Sequence, residues 1–250
     1  MAFISRFWTP LTNFSSFRSN SRMPALISLS TSRNITRNMP CPTAISCGDN
    51  FVTNSKLEIL NRELLFDGFN RLTKLVYRYR RHNGEWSGAV EREIFERGPA
   101  AAVLPYDPIQ DAVVMVEQFR PGAYLGSENA WQLEPIAGIC DEGETPEETV
   151  RREAIEEAGC ALGELVSICD YMVSPGCVNE TVAVFCAKVD ASAVANRGGN
   201  AMEHEETEVQ IVDFNTCMQS LNEGKFGYAL TIIALQWLAL HREVLRENWR

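Results

Sequence analysis

Gly138 to Cys160 reads GICDEGETPEETVRREAIEEAGC, and the rest of the chain is best read outward from it. Thr145 suits a helix N-cap, Pro146 the first helical position, and Glu148 completes a capping box with Thr145. Val150, Ala154 and Ala158 recur at four-residue spacing and supply a narrow apolar stripe. Gly159 is a natural stop. The spacing therefore predicts a short helix behind an acidic loop flanked by Gly138 and Gly143. Glu153, Glu156 and Glu157 then crowd onto one face, because residues three and four apart are neighbours on a helix. Unbalanced like charges at that spacing cost roughly 0.2–0.5 kcal/mol per pair. A hard divalent cation offsets the repulsion, since Mg²⁺ prefers carboxylate oxygens and works with substrate phosphates. Taken residue by residue, a solvated acidic face is the simpler account of such a run.

The full spacing changes that balance. Gly138, five residues, Glu144, seven residues, Arg152-Glu153-Ala154, one residue, Glu156-Glu157, one residue, Gly159-Cys160: this resembles the Nudix box, with only the aliphatic slots relaxed, to Ala154 and Cys160. The resemblance implies a Nudix hydrolase, which cleaves a nucleoside diphosphate linked to another moiety with Mg²⁺ or Mn²⁺.

Composition is compatible. The chain has 250 residues, 45% of them hydrophobic, enough for a substantial core in one large domain or two small ones. Its net charge of −10 argues against non-specific nucleic-acid binding, which runs on basic patches. It leaves a phosphate ligand open, because bound cations reverse the local sign. The eight Cys form no CxxC pair, so reduced thiols in a cytosol-like compartment are the simpler reading than a disulfide framework. The three His, at His82, His204 and His241, are scattered, which disfavours a His-rich zinc site. No apolar run approaches membrane-spanning length.

Met1 to Gly48 holds five Arg, many Ser and no acidic residue. Three accounts stay open: a disordered tail, an organelle transit peptide, which would make the location mitochondrial instead of cytoplasmic, or a start at Met23 or Met39. The expected organisation is a tail over 1–50, a small antiparallel β-sheet over 51–98 and a main α/β domain over 99–250. Asn83-Gly84 reads as a hairpin turn between Tyr77–Arg80 and Ala89–Phe95. Ala100–Pro105 and Ala112–Glu117 read as strands around a turn at Tyr106-Asp107-Pro108. Leu165–Met172, Thr181–Val189 and Glu208–Phe214 read as further strands. Met218–Asn222 starts a short helix. Ala229–Asn248 reads as a long one whose apolar face is Leu230, Ile233, Leu235, Leu238 and Leu245. The fold class is α/β, a mixed sheet with helices on both sides plus an N-terminal β extension; the Nudix resemblance implies an α/β/α sandwich.

From about Leu65 onward the chain is similar to the bacterial-type ADP-ribose pyrophosphatase branch of that family. The supporting segments are Arg92–Gly98, Glu117-Gln118-Phe119-Arg120, Trp131-Gln132-Leu133-Glu134 before Ala137-Gly138, and Pro175 within Ser174-Pro175-Gly176. The resemblance implies ADP-ribose hydrolysis to AMP and ribose 5-phosphate by a homodimer that shares its N-terminal sheets. It also implies roles. Glu153, Glu157, Glu205 and the Ala137 carbonyl would bind metal, and Glu203 would be the general base. Glu156 would assist, Arg152 would orient the glutamates and Glu144 would support the loop. Phe69 and Arg92 would sandwich the adenine, from one subunit or two. Arg120 would meet the diphosphate and Glu180 a ribose hydroxyl. Other ADP-sugars, nucleoside di- or triphosphate derivatives, and a silent ADP-ribose sensor are the rival readings.

Overall fold

Runs of β-branched and small apolar residues from Pro99 onward form the centre of the molecule, flanked by segments with helical periodicity. The computed structural model describes residues 56–127 and 129–249; the tail expected over 1–50 lies outside them. Three strands come first: β1 (Leu57–Asp67), β2 (Arg71–Tyr79) and β3 (Val90–Glu96), an antiparallel sheet in that order. The Asn83-Gly84 turn sits at the tip of the β2–β3 connection, with Gly84 at φ 86°. The connection is longer than a two-residue hairpin. Arg80 bridges Trp86, and the Arg78 and Arg80 guanidinium groups lie 5.0 and 4.4 Å from the Trp86 ring centre.

A second sheet follows. Its strands are β4 (Pro99–Asp107), β5 (Ala112–Phe119), β6 (Trp131–Glu134), β7 (Ile136–Ile139), β8 (Leu165–Met172), β9 (Thr181–Lys188), β10 (Arg197–Gly198) and β11 (Thr207–Asp213). The order is β10-β11-β5-β4-β9-β8, with β6 paired to β5 and β7 to β4. Only β4 and β9 run parallel; the other pairs are antiparallel. The helices are α1 (Pro121–Ser127), α2 (Pro146–Ala158), α3 (Phe214–Asn222) and α4 (Ala229–Trp249).

Alternation along the central strands splits the core into two layers, because successive side chains point to opposite faces. Ala102, Leu104 and Tyr106 of β4, Val113 and Met115 of β5, and Val184 and Cys186 of β9 face α3 and α4. Ala101, Val103, Val114, Val116, Phe185 and Ala187 face the opposite way, onto Val150, Ala154 and Ala158 of α2. The mixed sheet is thus covered on both sides. On α4, Leu230, Leu235, Leu238 and Leu245 are buried as expected, while Ile233 is only half-buried and Ala234 and Trp249 complete the face.

Three boundaries differ from the sequence reading. Tyr106 and Asp107 remain in β4, paired with Val113 and Ala112. The turn falls later because the Asp107 carboxylate accepts the N–H groups of Ile109 and Gln110 at 2.8 and 3.0 Å. Phe214 opens α3 instead of closing β11, since Asp213 caps the helix by accepting from Asn215 and Thr216. Strands β6 and β7 and helix α1 are additional. The small sheet is tied to the connection between β8 and β9 by a parallel bridge between Phe95 and Val178. Asn179 reinforces it by accepting the Arg97 N–H at 2.9 Å.

Candidate active site

The α2 helix begins with the expected capping box: Thr145 Oγ1 accepts from Glu148 N, and Glu148 accepts from Thr145 N at 2.8 Å. Gly159 ends it in the left-handed conformation, φ 56°. Between these stops the apolar stripe fixes the rotation of the helix on the sheet. Glu153 and Glu157, one turn apart, are thereby driven inward toward β7 and are 8% and 2% exposed. Ala137 N donates to Glu157 Oε2 at 3.3 Å. The Glu153 carboxyl lies so close to Gly138 that any Cβ there would overlap it.

These carboxylates stand in a field with too little positive charge. Burial pushes the Glu157 carboxyl up to about 9, with Glu153 and Glu205 adding to the effect and Arg120 opposing it. Burial also raises Glu153, against the pull of Arg152. Arg152 grips Glu144 with two bonds of 3.0 Å, donates to Glu153 Oε1 at 2.7 Å and reaches the Ile139 carbonyl at 3.2 Å. Its guanidinium holds Glu144 down at about 2. Glu156 is half-buried at the edge of this cluster, 3.6 Å from Arg152.

The second acidic group arrives on the loop between β10 and β11. A short 3-10 turn, Ala201–Glu203, is capped by Asn200; the side chain of Glu203 lies outside the described residues. Glu205 is half-buried, and Gln118 of β5 donates its amide N–H to Glu205 Oε1. The loop is fastened to the last turn of α2. Ala195 N donates to the Ala158 carbonyl at 2.9 Å, Gly199 N to Glu156 at 2.9 Å, and Thr207 Oγ1 to Glu157 at 2.7 Å. The helix carrying Glu153 and Glu157 and the loop carrying Glu205 are thus joined through carbonyls that a helix end leaves unsatisfied.

Arg120, at the end of β5, pairs with Glu134 of β6. The Glu134 charge raises the guanidinium pKa despite burial, which alone would lower it. Glu180 is 9% exposed and lies 3.5 Å from Arg97. Phe69, in the β1–β2 turn, is 92% exposed. Arg92 is also exposed, on β3 beside Leu75. In register Arg92 lies several residues along the sheet from the Phe69 turn, and a strand rises about 3.3 Å per residue. Gln118 and Glu134 were quoted in the sequence but given no role; their signal is long-range pairing, invisible to local pattern.

Donor chemistry fits a hard divalent cation. Glu153, Glu157, Glu205 and the Ala137 carbonyl offer oxygen only, and the buried carboxylates lack enough cationic partners. Among the described residues no three His, Cys, Asp or Glu side chains stand close enough together to hold a metal ion as they are placed.

Comparison with known proteins is consistent with this geometry. A model described as NUDIX domain matches residues 96–229. The ADP-ribose pyrophosphatase of Escherichia coli (strain K12) is 43% identical over 77% of this chain and 92% of its own length. The GDP-mannose pyrophosphatase of Pectobacterium atrosepticum is 37% identical over 73% of this chain and 93% of its own. A solved structure titled "Crystal structure of ADP compounds hydrolase" superposes with a TM-score of 0.57 at 20% identity, over 77% of this chain and 96% of that one; it supports the fold alone. By the matched domain, the identity to full-length relatives and the shared architecture, the chain belongs to the Nudix family.

Proposed function

We propose that the protein hydrolyses the diphosphate of ADP-ribose, giving AMP and ribose 5-phosphate, with Mg²⁺ or Mn²⁺. The observation that carries this reading is the buried pair Glu153 and Glu157 against Ala137 and Gly138, on a chain 43% identical to a protein named ADP-ribose pyrophosphatase.

Glu153, Glu157, Glu205 and the Ala137 carbonyl would hold the cation. When bound, it neutralises phosphate oxygens and lowers the pKa of attacking water. Arg120 binds the diphosphate, and Arg152 keeps Glu144 and Glu153 in place through charge-assisted bonds. Glu203 accepts the proton of the attacking water, and its loop closes over substrate between its two fastenings. Glu180 holds a ribose hydroxyl. Phe69 and Arg92 stack on the adenine from different subunits of a homodimer. Residues 51–98 then act as the dimerisation unit and 99–250 as the hydrolase domain. A reducing, cytosol-like compartment suits cysteines that form no disulfide among the described residues.

The testing experiment is product analysis after incubation with ADP-ribose and Mg²⁺, beside Glu157→Gln. AMP and ribose 5-phosphate from the parent alone support the reading. A second reading, hydrolysis of another nucleotide-sugar, is favoured by the relative named GDP-mannose pyrophosphatase; cleavage of GDP-mannose or ADP-glucose with ADP-ribose intact would replace the first. Binding of ADP-ribose without cleavage would indicate a sensor.

A further inference from the structure

Glu134 is 1% exposed, at the end of β6, where Val116 of β5 is its strand partner. Burying a carboxylate costs several kcal/mol unless it is paired well. Here the pairing is with a single residue. Arg120 Nε donates to Glu134 Oε1 at 2.8 Å and Nη2 donates to the same oxygen, while Glu134 Oε2 has no hydrogen-bond partner among the described residues. The two side chains are unequally placed: Arg120 is 38% exposed and Glu134 1%. The Arg120 side chain keeps some exposure to solvent, while the Glu134 side chain keeps almost none.

We infer that Glu134 is a positioning residue for the diphosphate: it holds Arg120 by its Nε–Nη2 edge and leaves the Nη1 edge turned to phosphate oxygens. Guanidinium is a rigid planar fork, so fixing one edge fixes the other. Without that hold, Arg120 has another carboxyl within electrostatic reach, Glu157, which a bound cation would hold in its charged form. A guanidinium turned onto Glu157 would be lost to the substrate and would compete for a carboxylate the cation needs. Glu134 therefore keeps a phosphate-binding cation apart from the metal-binding carboxylates. Holding Arg120 in one place also removes the entropy of ordering it at each binding event.

This inference rests on the proposed role of Arg120 but not on which nucleotide-sugar is the substrate. Its test is a double-mutant cycle of Glu134→Gln and Arg120→Gln, read in two ways in Mg²⁺: KM and kcat for ADP-ribose, and calorimetric affinity for methylenediphosphonate, a diphosphate that cannot be hydrolysed. Glu134→Gln should weaken both KM and diphosphonate affinity about tenfold, the scale of a lost charged hydrogen bond. It should leave kcat within about threefold, since ground-state and transition-state binding suffer alike. In the Arg120→Gln background it should change neither, because Glu134 acts through Arg120. Glu134→Asp, which retains the charge, should recover part of the loss and replaces Glu134→Gln if the latter fails to fold. An unchanged affinity, a fall in kcat with KM unaltered, an equal loss without Arg120, or a parent that binds no diphosphonate overturns the inference. A parent that binds diphosphonate but leaves ADP-ribose intact defeats the substrate reading, while the cycle still decides the role of Glu134.

Discussion

The Glu153 carboxyl occupies the volume that a side chain on Gly138 would need. A buried acid on a helix can approach a strand that closely only where the strand has no Cβ. Gly138→Ala should therefore displace Glu153 and destabilise the fold by about 1–3 kcal/mol, the usual cost of overpacking. The Mg²⁺ concentration needed for half-maximal activity should rise with it. A melting curve and a Mg²⁺ titration check this; a variant with parental values for both would show that the contact relaxes freely.

The two inward carboxylates should differ from their neighbours in kind. Glu153→Gln and Glu157→Gln keep volume and remove charge, so turnover should fall by orders of magnitude while circular dichroism stays near the parent's. Turnover within tenfold of the parent for both changes would remove them from the metal set. Glu203→Gln should lower kcat with metal affinity little changed, as measured by calorimetric Mg²⁺ titration.

Stability should depend on pH in a direction set by Glu157. Its carboxyl titrates near 9 in the fold, against an ordinary value of 4.5. Below 4.5 both folded and unfolded chains hold the proton, and the contribution is full. From about 4.5 to about 9 the unfolded chain has released a proton that the folded chain retains, so stability falls as pH rises. The metal-free protein should lose melting temperature across that window, and Glu157→Gln should flatten the slope. Added Mg²⁺ should oppose it, since the cation favours the ionised form. Glu144 works the other way: held at about 2, it stabilises above its ordinary value and loses that contribution as the pH falls through 2.

A pocket assembled from two subunits gives a mixing result that a single-chain pocket cannot. Phe69→Ala and Arg92→Ala should each impair ADP-ribose hydrolysis as homodimers. Unfolded together and refolded, they should form heterodimers in which one site carries both changes and the other carries neither. Activity should then exceed that of either parent variant. No recovery, with sedimentation showing that heterodimers formed, would place both residues in one chain's pocket or in none.

Much of this arrangement is visible in local sequence because local chemistry decides it. The Thr145–Glu148 box, the Val150, Ala154 and Ala158 stripe and the Gly159 stop define α2 from within, and β8 runs over Leu165–Met172 as expected. Other parts are decided by partners far along the chain. Helix α1 opens on Pro121-Gly122, which read as a turn signal, and buries no residue, so it has no apolar stripe to reveal it. Strands β6 and β7 are four residues each, on either side of Pro135, and gain their identity only by pairing with β5 and β4. Asp213 looks like the polar end of a strand until its carboxylate is seen capping α3. Glu134 and Gln118 each meet a charged partner, Arg120 and Glu205, brought close by strand pairing or by the loop before β11.

The fastening of the Asn196–Thr207 segment to the end of α2 has a consequence for how this scaffold can be altered. Gly199 is held by Glu156 and Thr207 by Glu157, so the residues between them form an arch with both feet on the α2 helix. A Cβ at Gly198 or Gly199 would overlap backbone at those feet, which leaves little room to redesign them. The crown, 200–206, carries Glu203 and Glu205 and is closed by Glu205 N donating to the Asn200 carbonyl at 3.0 Å. A graft there for a new leaving group would have to keep both proposed catalytic acids, which leaves exposed positions such as Met202 to vary.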